Sequence, residues 1–173
     1  MRTPKDRRFK KTIAFAKKHL PKDAALLDLG TPNPLSELLN TSGFSVQNTK
    51  GENLDTDYDR FLTPGVDCIT AFEIFEHMLA PFNILSHIEC DKLIASVPLK
   101  LWFTSAYWNE KDEWDKHYHE FEKKQFDYLL KHSGWEIKDS LTWASPDYSK
   151  IGIRPLLRYV TPRYYMVYCE RVK

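Results

Sequence analysis

The sequence predicts an α/β protein with a doubly wound, mostly parallel sheet and an antiparallel last strand. Three observations predict it. Apolar runs of strand length alternate with amphipathic segments of helical period, and parallel neighbours need such crossovers. Two of those runs end in polar residues, at Asp28-Leu29-Gly30 and at Phe72-Glu73, where open α/β sheets place ligands. The last two strand-like segments are joined without a clear helix, which suits an antiparallel pair.

The elements follow in order. Thr3-Pro4-Lys5-Asp6 reads as a helix start, with Thr as cap, Pro at the first helical position and Asp in the first turn. That helix runs to about His19, within an N-terminal segment 1–22. Phe9, Ile13, Ala16 and Leu20 form its apolar stripe, and Arg7, Arg8, Lys10, Lys11, Lys17 and Lys18 form a solvated face or a contact for an anionic partner. Residues 24–29 make a buried strand. Asn33 caps a short helix over 34–40 with Pro34 at its first position, and Gly43 turns the chain into a strand over 44–49. Residues 50–64 are polar, mostly loop, with room for a brief third strand near Leu54; Asp55, Asp57 and Asp59 make it acidic.

Residues 66–72 form the next strand, followed by a helix from Glu73 to about Leu79. Pro81 restarts a second piece ending near Ile88. On the first piece Glu73, Glu76 and His77 share one face, while Phe75, Met78, Leu79 and Phe82 share the opposite, buried one. A strand over 92–97 leads into a long connection, 99–118, that holds Trp102, Phe103, Tyr107, Trp108, Trp114 and Tyr118. Loops this long in compact domains are usually functional or disordered, and the aromatic content favours a substrate or lid loop. A helix over 121–132 and strands over 135–143 and 159–171 complete the chain. The segment 145–158, with Ile151-Gly152-Ile153-Arg154-Pro155, joins those strands. Arg154, Arg158 and Arg163 offer an anion contact or pair with surface acids.

The 173 residues read as one domain, 1–173, and 42% apolar with 14% aromatic content is enough for a proper core. A net charge of +1 gives no strong nucleic-acid signal. Cys68, Cys90 and Cys169 lack Cys-x-x-Cys spacing and read as free thiols in a reduced, cytoplasmic setting. No apolar run is long enough to span a bilayer, and the amino terminus is charged rather than signal-like.

Four motifs occur in a specific order. Leu26-Leu27-Asp28-Leu29-Gly30 ends the first strand; Glu73-x-x-Glu76-His77 follows a later one; Ser96-Val97-Pro98 ends the next; and His119-Glu120-Phe121 opens a segment closing on Ser133-Gly134-Trp135. In these motifs the chain resembles the class I S-adenosylmethionine-dependent methyltransferases, whose fold is Rossmann-like, over roughly 24–143. The resemblance implies that S-adenosylmethionine is the cofactor, contacted by Asp28, Gly30, Thr31, Pro32, Thr49, Asp55, Phe72 and Glu73. Asp28 would accept hydrogen bonds from loop amides, Glu73 would lie by the methionine end of the cofactor, and Asp55 near the adenine. His77, His119 and Glu76 are the candidate catalytic groups, because a hydroxyl acceptor must lose a proton.

Two departures from the pattern matter. Of the glycines expected after the first strand only Gly30 remains, with Pro32 and Pro34 in place of the others. The second strand ends without the usual ribose-binding carboxylate, leaving Glu52 just beyond it, or Asn48 or Thr49 more weakly, to accept. The loop then either binds the cofactor through a shifted, stiffer backbone or serves only as a helix entry in a non-catalytic binding protein.

Carboxylates and imidazoles on one turn also admit a divalent metal, with Glu73, Glu76 and His77 as candidate ligands and His117 or His119 able to complete the set, although the expectation adopted is no metal. Small-RNA 2′-O-methyltransferases carry similar segments and hold a metal, so metal-assisted ribose methylation of RNA is an alternative. The preferred reading is methyl transfer to O or N of a small-molecule, glycan or lipid-type acceptor.

Overall fold

Six strands form a single sheet in the order β2-β1-β3-β4-β6-β5. The computed structural model describes residues 3–58, 62, 65–146 and 152–172. Its elements are α1 (Pro4–His19), β1 (Ala25–Asp28), α2 (Pro34–Thr41), β2 (Ser45–Asn48), β3 (Cys68–Phe72), a 3₁₀ turn (Phe75–His77), α3 (Pro81–His87), β4 (Lys92–Pro98), α4 (Lys123–His132), β5 (Trp135–Ala144), α5 (Ile153–Val160) and β6 (Pro162–Arg171). Strands β1 to β4 are parallel, while β6 runs antiparallel to both β4 and β5. This is the doubly wound α/β arrangement the sequence predicts.

Each face of the sheet is buried. Leu26, Cys68, Ile94 and Met166 pack against Phe9, Phe15, Leu35 and Leu39 of α1 and α2. Leu27, Ile69, Leu93 and Val167 pack on the other face against Ile84, Leu85, Phe126 and Leu130 of α3 and α4. Burial on both faces explains why β4 reads as a continuous apolar run rather than an alternating one. The first helix starts by the local chemistry expected: Thr3 and Asp6 form a reciprocal capping box around Pro4. Asn33 caps α2 in the same way, with Ser36 as its partner.

The structure corrects four expectations. No strand forms near Leu54, where residues 54–56 make a turn. The segment after β3 is not an α-helix: Glu73 adopts φ +60° and only one 3₁₀ turn follows. Leu79 and Phe82, expected to be buried, are exposed. Finally, a helix, α5, does stand between the last two strands, and it takes Tyr159 and Val160 from the expected start of β6. Asp59 of the acidic loop and Ile151 lie outside the described residues. Among the described residues, no helix is long and apolar enough to cross a membrane.

Candidate functional site

The winding places the site. From β1 the chain moves out to β2 and then returns to β3 on the other side of β1. The connections therefore diverge at the carboxyl ends of β1 and β3, the switch point where open α/β sheets bind ligands. A cleft of about 510 Å³ opens there. Gly30 and Thr31 after β1, Thr49 after β2, and Glu73 and Ile74 after β3 line it, and Trp114 and Asp115 of the long aromatic connection close one side.

Asp28 ends β1 beneath this cleft, buried. Its carboxylate accepts from the Thr70 hydroxyl at 2.7 Å and from the Asn48 side-chain amide at 3.1 Å, rather than from loop amides. Burial outweighs these bonds and pushes its pKa up to about 6. The native state thus holds the proton more tightly than the unfolded chain does. Stability from this group is full below the unfolded value of 3.8 and is lost as pH rises through about 6. Asp28→Asn removes that dependence. The mutant should compare best with wild type at pH 7 and lose ground towards pH 4, by about 3 kcal/mol at most, read from denaturant unfolding at each pH.

The turn after Gly30 is built as a close approach. Gly30 has φ +121°, and a Cβ there would sit 3.2 Å from Cδ1 of Ile74 across the cleft. Its N–H donates to the Thr49 hydroxyl at 2.7 Å, which joins the ends of β1 and β2. Pro32 is exposed and does not line the cleft, so the two prolines leave it open.

Glu73 enters the cleft from a left-handed backbone position. Its N–H still bonds the sheet at the Ser96 carbonyl, and its carboxylate accepts from the Ser96 hydroxyl at 2.8 Å. The Arg8 guanidinium of α1 reaches the other oxygen at 3.1 Å. Burial raises the Glu73 pKa, and Arg8 opposes that shift. Phe72 packs with the α1 and α2 side of the core instead of lining the cleft.

The 3₁₀ turn is short because tertiary partners take its backbone groups. An α-helix would send the Leu79 and Ala80 amides to the carbonyls of Phe75 and Glu76. Asp55 accepts both amides instead, at 2.9 and 2.7 Å. The Glu76 carbonyl accepts from the Tyr118 and His119 amides, at 2.8 and 3.2 Å. Asp55 lines the cleft but spends its carboxylate as a brace.

Glu76 and His77 stay together, with His77 Nε2 3.7 Å from Glu76 Oε1, while His119 stands apart. His77 lines the cleft. Its Nδ1 lies 3.1 Å from the Lys116 carbonyl, which can only accept, so Nδ1 carries the proton and Nε2 keeps its lone pair. Burial, then the neighbouring His117, lowers the His77 pKa. Glu76 points inward, 1% exposed, with Oε2 unpartnered and its pKa raised by burial. His119 stacks on Phe121 and meets the Leu79 carbonyl at 3.3 Å, outside the cleft lining. Of the expected metal candidates Glu76, His77 and His117 cluster, with one ligand atom of each within 4.8 Å of the others, and Glu73 and His119 stand outside that group. Sequence reasoning missed the pairing of Arg8 with Glu73, a contact that spans 65 positions and that no local pattern reports.

No protein-family model and no curated protein sequence matches the chain. Solved structures do. A protein of Listeria monocytogenes provisionally assigned as an S-adenosylmethionine-dependent methyltransferase is 12% identical, with TM-score 0.65 and coverage of 96% of this chain and 99% of that one. A methyltransferase of this dependence from Methanosarcina mazei is 12% identical, with TM-score 0.61 and coverage of 91% and 97%. The [4+2]-cyclase SpnF is also 12% identical, with TM-score 0.56 and coverage of 95% and 81%. The fold is that of the class I S-adenosylmethionine-dependent methyltransferases. The cyclase among these likenesses illustrates that a fold does not fix a reaction.

Proposed function

We propose that the protein is an S-adenosylmethionine-dependent methyltransferase that methylates O or N of a small-molecule, glycan or lipid-type acceptor. The observation that carries this reading is the open cleft at the switch point, with a glycine where any Cβ would press on Ile74. Its volume of about 510 Å³ suits a nucleoside-sized ligand. Gly30, Thr31 and Thr49 would hold the cofactor along the strand ends, with Glu73 facing it. When bound, that cofactor supplies an electrophilic methyl group on a sulfonium. The protein's tasks are then to align the acceptor and to take a proton. His77 suits the second task, since it lines the cleft with Nδ1–H held by the Lys116 carbonyl and Nε2 as the acceptor nitrogen, 3.7 Å from Glu76 Oε1. Among the described residues, the cleft lining holds Glu52, Asp55, Glu73 and Asp115 but no Lys or Arg, which disfavours a phosphate-rich acceptor.

The test is the melting temperature with S-adenosylhomocysteine at millimolar concentration. At a hundredfold excess over Kd the gain is about 2.7 kcal/mol, a rise of roughly 5–10 °C for a chain this size. No rise would leave a binding protein of methyltransferase shape. A second reading has one observation behind it: the orphaned Oε2 of Glu76 beside His77 and His117 suits a divalent cation. The same melt with Mn²⁺ or Zn²⁺ alone tests it, because stabilisation that His117→Ala abolishes requires a metal held there.

A further inference from the structure

Helix α5 is inverted relative to a normal surface helix. At about 100° per residue, Ile153, Leu156, Leu157 and Val160 fall on one side, and Arg154 and Arg158 on the other. A helix packed on a sheet buries the first set. Here none of its residues is buried. Ile153, Leu156 and Val160 are 78%, 66% and 78% exposed, while Arg158 is half-buried with its Nε out of solvent. An apolar face turned outwards costs solvation unless something covers it.

The surroundings favour one occupant. Ala144 pairs with Pro162, and Pro98 with Tyr164, so α5 stands at the same rim of the sheet as the cleft. The basic helix α1 lies at this corner: Arg7 donates to the Pro146 carbonyl, and Lys11 sits 5.9 Å from the Trp143 ring. Lys5, Lys10, Lys11 and Arg154 are exposed. A short helix with an outward apolar stripe and cationic flanks has the make-up of an element that lies in the headgroup layer of an anionic bilayer. A second copy fits less well. Its matching flanks would bring like charges together, and one eight-residue helix, about 12 Å long, is small against the roughly 800 Å² per partner of a stable interface.

We propose that α5 is a membrane-surface anchor, whose Ile153, Leu156 and Val160 insert shallowly among anionic lipid headgroups and hold the cleft against the bilayer. This does not depend on the reaction proposed above. The test is flotation of the full chain with phosphatidylcholine vesicles, with and without about 30 mol% phosphatidylglycerol. Binding should be at least roughly fivefold greater with the anionic lipid, should fall with salt, and should drop roughly tenfold in Leu156→Glu, with the melting temperature unchanged. Equal partitioning to both vesicles, or undiminished binding by Leu156→Glu, would overturn the proposal. So would a dimer in sedimentation velocity that Leu156→Glu dissociates, which would assign the face to a second copy.

Discussion

Replacing Gly30 with valine is expected to cost about 3 kcal/mol or more of stability and to abolish the response to S-adenosylhomocysteine. Two effects add. At φ +121° a β-branched residue is strained by roughly 1–3 kcal/mol. Its Cβ would also stand 3.2 Å from Cδ1 of Ile74, and its two methyl groups need further room in the space the cleft occupies. Denaturant unfolding reads the first loss, and ligand-dependent melting reads the second. A Gly30→Val protein with wild-type stability and an intact ligand response would refute the close-approach account of this turn.

Arg8→Ala should be the next most damaging change, with a loss of about 2–3 kcal/mol and roughly 5–10 °C in melting temperature. The guanidinium is the only cation at hydrogen-bond distance from Glu73 among the described residues. It also lies 5.6 Å from the Phe9 ring and 5.5 Å from the Tyr164 ring. Removing it leaves a largely buried carboxylate with only the Ser96 hydroxyl. The figure is at the low end for a broken buried pair because the Arg8 side chain is a quarter exposed and solvent screens part of it. Adding Glu73→Gln should recover part of the loss, since a neutral amide is cheaper to leave unpaired. A double-mutant cycle with no coupling would mean that the two side chains act separately.

What the sequence disclosed and what it withheld divide along physical lines. Helix starts at Thr3-Pro4 and Asn33-Pro34 were legible because caps are written within four residues. The mostly parallel sheet followed from crossovers, and the position of the cleft from strand ends. The geometry after Glu73 was not legible. Spacing alone implies a helix there, but Asp55, some 25 positions earlier, and the amides of Tyr118 and His119, some 40 later, take the hydrogen bonds a helix would use. Helix α5 was hidden for a related reason: its apolar residues face outwards, so nothing in the core demands them. The roles of Asp55 as a brace, His117 as a neighbour of Glu76, and Arg8 as a partner of Glu73 all depend on contacts distant in sequence.

The brace from Asp55 to the amides of Leu79 and Ala80 makes the loop after β2 and the segment after β3 one mechanical piece. That side of the cleft is set before any ligand arrives. On the opposite side Trp114 is 71% exposed, and the hydrogen bonds around it run within its own segment, from Tyr107 and Asn109 to Asp115. Substitutions on the Trp114 side therefore reshape that wall of the cleft without loosening the Asp55 brace on the other.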